Sequence, residues 1–406
     1  MNVLTGTDAR ATVERVARAS YGRLVALLAA RSRDLAGAED AVAEALRAAL
    51  ETWPLRGIPD RPEAWLMTAA KRAAGASRAR AATADRALPD LALIQAEVDE
   101  AMPNAFPDHR LGLMFACTDP ALDPPVQTAL MLQAVLGLPA DRIASAFLVA
   151  PATMGQRLSR AKARLRSLGA SFSQPDPDDV APHLPQVMEA ILAAAALGWE
   201  SVPGSTPGRA DLAAEALWLA EALAQLVPDD PEPKGLLASL LYIRARDPAR
   251  RGRYVPLAEQ DAGLWDRRLI TRATAALAQA GAMGRFGRFQ CEAAIQAVYC
   301  ESGATGRLNL PALRTLHQAL EQLCPTLGGA VAAIAVEMDL EGPQAALDLL
   351  ESLSGADRYQ PAWALRAECL RRLGRSTAQA HALQQAMGLT EDAALRDWLL
   401  RRMPAA

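Results

Sequence analysis

Apolar residues recur at three- and four-residue intervals along nearly the whole chain, with no sustained alternation of β-branched and polar residues. Alanine, leucine and arginine fill the stretches between proline-marked breaks, a choice of residues that favours helix. The pattern predicts an all-α fold. Three stretches interrupt it: WPLRGIPDRP at 53–62, a mixed segment around 82–125, and SFSQPDPDDVAPHLP at 171–185. The last, rich in Pro and Asp, reads as the main interdomain linker. It separates an N-terminal part with arginine clusters from a C-terminal part made of helical pairs.

In residues 38–53, Val42, Leu46, Ala49, Leu50 and Trp53 share one helical face, while Asp40, Glu44, Arg47 and Glu51 lie opposite. One face is core and the other meets solvent or a partner. A loop with Pro54, Gly57, Pro59 and Pro62 then leads into RPEAWLMTAAKRAAGASRAR, a helical run with Trp65 near its start and Lys71, Arg72, Arg78 and Arg80 towards its end. Residues 123–168 read as three helices with a short turn before the third, the layout of a helix-turn-helix. In the third helix Met154, Leu158, Ala161, Leu165 and Leu168 form an apolar stripe, and Thr153, Gln156, Arg157, Arg160 and Arg164 cluster to one side of it. The polar stripe suits a DNA groove; it equally suits plain solvent. Trp65 reads either as a stacking platform or as core.

Composition narrows the function. The 406 residues suffice for two to four domains at roughly 100–200 residues each. A net charge of -3 makes the whole molecule neither a basic coat for nucleic acid nor an acidic tail, so any DNA contact is local. The five cysteines form no C-x-x-C pair, which argues against a disulfide framework or cysteine-built zinc site and fits a reducing compartment. Asp8, Arg10, Glu14, Arg15 and Arg18 leave no apolar core for a signal peptide, and no run approaches the roughly 20 apolar residues of a membrane span. A soluble cytoplasmic protein is expected. The four histidines are dispersed, with no phosphate-cradling glycine loop and no G-x-S-x-G elbow, so neither metal, cofactor nor catalytic centre is expected. The cluster Glu259, Gln260, Asp261, Trp265, Asp266 reads first as a helix start, with acids at the positive end of the dipole.

The segments AEDAVAEALRAALETWP, PEAWLMTAAKRAA, PDHRLGLMFACTDPAL and IASAFLVAPATMGQRLSRAKARLR, in this order, resemble the extracytoplasmic-function (ECF) sigma factors, group four of the sigma-70 family. ALAQLVPDDPEPKGLLASLLYIRARDPAR and VPLAEQDAGLWDRRLI resemble the tetratricopeptide-like C-terminal extension of one subgroup. The resemblance implies sigma region two at 1–82, a linker at 83–119, region four at 120–170, a second linker at 171–185, and a TPR-like regulatory module at 186–406. It implies a transcription initiation factor, not an enzyme, whose partners are core RNA polymerase (β′ clamp helices and β flap) and promoter DNA. Glu39, Asp40 and Glu44 would meet the clamp helices. Trp65, Lys71, Arg72, Arg78 and Arg80 would serve the minus-ten element, and Thr153, Gln156, Arg157, Arg160, Lys162 and Arg164 the minus-thirty-five element.

The chain departs from the family pattern at AAGASR, with Gly75 and Ser77, where relatives carry an arginine-rich segment. Gly155 interrupts the recognition helix, Ala150 is a poor N-cap, and Cys117, Thr118 and Asp119 stand where relatives carry Cys-Cys-His. These departures suggest promoter binding that is weak or depends on the C-terminal module, whose contacts could be intramolecular or with a regulatory protein. Two other function classes stay open: a sigma-like helical scaffold without promoter function, and a one-component repressor with a ligand-binding C-terminal half.

Overall fold

The computed structural model describes residues 6–84, 109–147, 149–172, 180–199, 208–250 and 254–404. As the periodicity predicts, the fold is helical, with no strand among the described residues. None of the described helices is long and apolar enough to cross a membrane. The chain divides into two compact units, one of residues 1–194 with 210–219, the other of 195–209 with 220–406.

The first unit begins with α1 (Gly6–Ser32), α2 (Leu35–Arg56) and α3 (Pro62–Ala84), each packed on the other two. Asp34 caps α2 by accepting from the Gly37 N–H at 3.1 Å, which satisfies one of the free amides of the first turn. The buried face of α2 is Ala38, Ala41, Val42, Ala45, Ala49 and Trp53. Leu50, expected on that face, is 44% exposed. The alanine line sets where neighbouring helices come closest, and Leu50, one position on from Ala49, is rotated to its rim. Pro54, expected in a loop, lies inside α2. So near the C-terminus a proline costs little, and the Gly57 N–H closes the helix on the Trp53 carbonyl at 3.0 Å, with φ at +86°.

Next come α4 (Arg110–Ala116), α5 (Pro124–Ala134), α6 (Ala140–Ala146) and α7 (Pro151–Leu168). The sequence placed 110–116 in a linker; they form a helix whose Leu111, Leu113, Met114 and Phe115 are all buried. Such a run is apolar on every side, so only an enclosed position satisfies it. The second expected linker, 171–185, is anchored at its ends by buried Phe172, Val180 and Leu184; residues 173–179 lie outside the described residues. In α8 (Leu184–Trp199), Val187, Met188, Ile191 and Ala194 are buried within the first unit, as are Ala216 and Leu219 of α9 (Gly208–Leu226).

The second unit continues through α10 (Pro231–Ala245), α11 (Asp247–Arg250), α12 (Arg267–Gly281), α13 (Arg288–Thr305), α14 (Leu310–Leu323), α15 (Leu327–Leu340), α16 (Pro343–Ser352), α17 (Gln360–Arg372), α18 (Ser376–Gly388) and α19 (Ala393–Leu400). Helices α13 to α18 each pack on the next, and α10 packs on both α12 and α13. Gly235 permits the α10–α13 crossing: a Cβ there would meet the Gln290 amide nitrogen at 2.6 Å. Beside it the Glu232 carboxylate accepts from the Phe289 N–H at 2.8 Å and the Gln290 N–H at 3.2 Å, so α13 takes its N-terminal cap from another helix. The 259–266 cluster behaves as a helix start: Asp266 accepts from the Arg268 and Leu269 amides of α12, Asp261 caps the short turn before it, and Trp265 is buried.

Candidate nucleic-acid interface

Helices α5, α6 and α7 form the helix-turn-helix. Gly137 ends α5 with φ at +65°, a conformation open to glycine, and the Leu138 N–H bonds back to the Leu132 carbonyl at 3.2 Å. A Cβ on Gly137 would also strike the Tyr21 ring at 2.9 Å. Gln127 holds the approach to α5 by donating to the Leu122 and Asp119 carbonyls. Helix α7 starts at Pro151, whose fixed φ suits a first turn, and Ala150 supplies no side-chain cap. Gly169, left-handed at φ +64°, ends it.

Helix α7 divides as its sequence predicts. Met154, Leu158, Ala161 and Leu165 are buried, whereas Leu168, one turn further, is 43% exposed because the helices beneath do not reach it. Thr153, Gln156, Arg157, Arg160 and Arg164 are all exposed. The side chains of these five make no ion pair or hydrogen bond with any described residue. They leave three guanidinium groups and a carboxamide displayed along one side of a rigid rod, the donor set that reads guanine, adenine and phosphate. Gly155 faces open space, so no packing demand accounts for it.

Lys162 stands apart from that set. It is ion-paired with Glu39 of α2, and the two side chains are only 15% and 12% exposed. One residue expected at DNA and one expected at polymerase thus occupy each other. Burial pushes the Glu39 carboxyl above the usual carboxylate range, against the pull of Lys162. Of the other two acids, Asp40 is exposed, and Glu44 bonds Arg47, which also binds Glu51.

The minus-ten residues are less available. Trp65 is half-buried and sits edge-on to Trp53, with ring centroids 5.5 Å apart and planes at 69°. Trp53 is core, 1% exposed. Lys71 is half-buried, and burial together with Arg31 holds its ammonium below the ordinary lysine range. Arg72 is exposed. The side chains of Arg78 and Arg80 lie outside the described residues.

Sequence reasoning missed Arg110. It is 4% exposed, ion-paired with Glu215 and stacked 3.9 Å from the Trp218 ring centroid, so it ties α4 to the part of α9 in the same unit. The signal was a lone arginine opening the apolar run RLGLMFA.

Two family models match the chain. Residues 120–165 match "Sigma-70, region 4", which coincides with α5–α7, and residues 183–281 match a family of unknown function, DUF6596. A protein of Rhizobium meliloti (strain 1021), Uncharacterized protein R00370, is 37% identical over 379 residues, covering 89% of this chain and 88% of its own. No solved structure matches. The chain belongs to one family with the Rhizobium meliloti protein, and its helix-turn-helix is similar to region 4 of the sigma-70 factors.

Proposed function

We propose that this protein is an ECF-type sigma factor that binds core RNA polymerase and directs promoter-specific initiation, with its C-terminal half setting when it does so. It performs no bond chemistry; phosphodiester formation stays with the polymerase. The observation that carries this reading is the stripe Thr153, Gln156, Arg157, Arg160 and Arg164, exposed and without acidic partners beside a buried apolar stripe. A helix so divided can lie in the major groove of the minus-thirty-five element, each bidentate base contact giving about 1–3 kcal/mol of discrimination. Trp65, Lys71 and Arg72 would meet the minus-ten strand, and Asp40 and Glu44 the polymerase.

The test is run-off transcription with purified core polymerase on a promoter library. Sequence-selective initiation is expected, and Arg157→Ala or Arg160→Ala should relax or abolish minus-thirty-five selectivity. Initiation without selectivity, or none at all even when residues beyond 219 are removed, would refute the proposal. The half-burial of Trp65 and Lys71 favours one second reading, a sigma-like scaffold that binds polymerase without opening promoters. That scaffold would be captured by core polymerase yet support no transcription.

A further inference from the structure

In the second unit α13 to α19 pack each on the next, yet the segment 254–265 touches the helices at both ends of that row. At its later end Trp265, 6% exposed, packs so closely on Gly303 of α13 that a Cβ there would collide with the indole, and the Asp266 N–H bonds the Ala245 carbonyl at 2.8 Å. At its earlier end Glu259 accepts from the Trp398 indole N–H of α19 at 3.3 Å and pairs with Arg402, while the Tyr254 ring lies edge-on to Trp398 with centroids 5.3 Å apart. Six residues lead from Glu259 to Trp265, at most about 20 Å of backbone, so the segment straps α19 back to α13.

The two ends of the strap are held unequally. Trp265 is locked by burial, whereas the side chains of Glu259 and Arg402 are 43% and 33% exposed, and an ion pair so open to water contributes little. The corner that receives Glu259 keeps its shape without it. The Arg402 carbonyl accepts from buried Gln379 of α18 at 3.1 Å, the Arg402 guanidinium lies 3.7 Å from the Trp398 ring centroid, and Leu399 between them is fully buried. A guanidinium and an indole N–H thus stay converged on one point, a preorganised receptor for a carboxylate beside an aromatic wall. Asp392, the other acid that acts on Tyr254, is turned to the Ala394 and Leu395 amides that it caps. We propose that the Trp398–Arg402 corner is a docking site for an acidic peptide segment of a partner protein, one that carries an aromatic ring near its carboxylate, and that Tyr254 and Glu259 are the chain's own stand-in, which the partner displaces. The site belongs to the second unit alone and stands whether or not α7 binds DNA.

The experiment uses the full chain and, as probe, a synthetic peptide of residues 254–259, followed by ligand-observed NMR, which reads weak affinities. The wild-type corner is free only in the fraction of molecules whose strap is off, so Tyr254→Ala with Glu259→Gln should bind the peptide about tenfold tighter than wild type. Adding Arg402→Gln should remove that gain. A double variant that binds no tighter than wild type, or binds equally well without Arg402, would overturn the site. Amide hydrogen exchange provides the independent measure. Saturating peptide should lower protection at the Glu259 and Gln260 amides of the wild-type chain, which bond the Pro256 and Leu257 carbonyls, and leave α12 unchanged. No change at those two amides, or an equal loss across α12, would overturn the displacement. A wild-type chain that dimerises in sedimentation and becomes monomeric with Arg402→Gln would assign the corner to Tyr254 and Glu259 of a second copy and overturn the partner reading.

Discussion

Helices α7 and α17 are both arginine-rich, and they treat that charge in opposite ways. On α17, Arg371 and Arg372 converge on the Glu368 carboxylate, Arg372 reaches also to Asp339 of α15, and Arg366 lies 4.5 Å from the Trp363 ring centroid. On α7, Arg157, Arg160 and Arg164 meet no acid and no ring among the described residues. Arginine content alone therefore does not mark a binding face. What marks it is the absence of acids within reach, since a guanidinium already neutralised by a carboxylate offers little to phosphate.

Charge reversal separates the two helices most sharply. Arg157→Glu with Arg160→Glu should lower duplex affinity by about 30- to 20,000-fold, from two contacts worth roughly 1–3 kcal/mol each. Arg371→Glu with Arg372→Glu should leave it within about twofold, because those arginines already serve a carboxylate. Fluorescence anisotropy at fixed salt checks both. Equal losses would mean that bulk charge, not the free stripe, drives binding.

Stability should respond the other way round. Glu368 is held below the usual carboxylate range, chiefly by its hydrogen bond to Arg371. A depressed pKa stabilises the fold above the unfolded-state value and loses that contribution as pH falls through the lower folded-state value. Glu368→Gln should cost up to about 1 kcal/mol at neutral pH, as for other partly exposed ion pairs. The deficit should vanish as pH falls through the depressed folded-state value, where the wild-type carboxylate is itself protonated. Thermal melts at several pH values measure this; alanine at Arg157 or Arg160 should leave the melts unchanged. The smallest expected effect is that of Arg164→Ala, which should lower the salt slope of duplex binding by about one without altering the fold.

Local regularities in the chain were readable without coordinates. The buried line Met154, Leu158, Ala161, Leu165 and the exposed line beside it follow from the helical period, and Asp266 caps α12 as an acid before a helix should. The errors occurred where burial depends on distant segments. Residues 110–116 read as linker because their run is too short to declare itself, and Leu50 read as core because periodicity gives direction, not the depth of the covering layer.

The sequence by itself determined the helices, the helix-turn-helix and the side of α7 that faces outward, because each depends on residues within a few turns of one another. Only the tertiary structure decided that Lys162 turns to Glu39 rather than outward, that Trp65 leans on Trp53, and that Arg110 is buried against Glu215 and Trp218. Those pairings join segments far apart in the chain, where desolvation and shape, not periodicity, choose the partner.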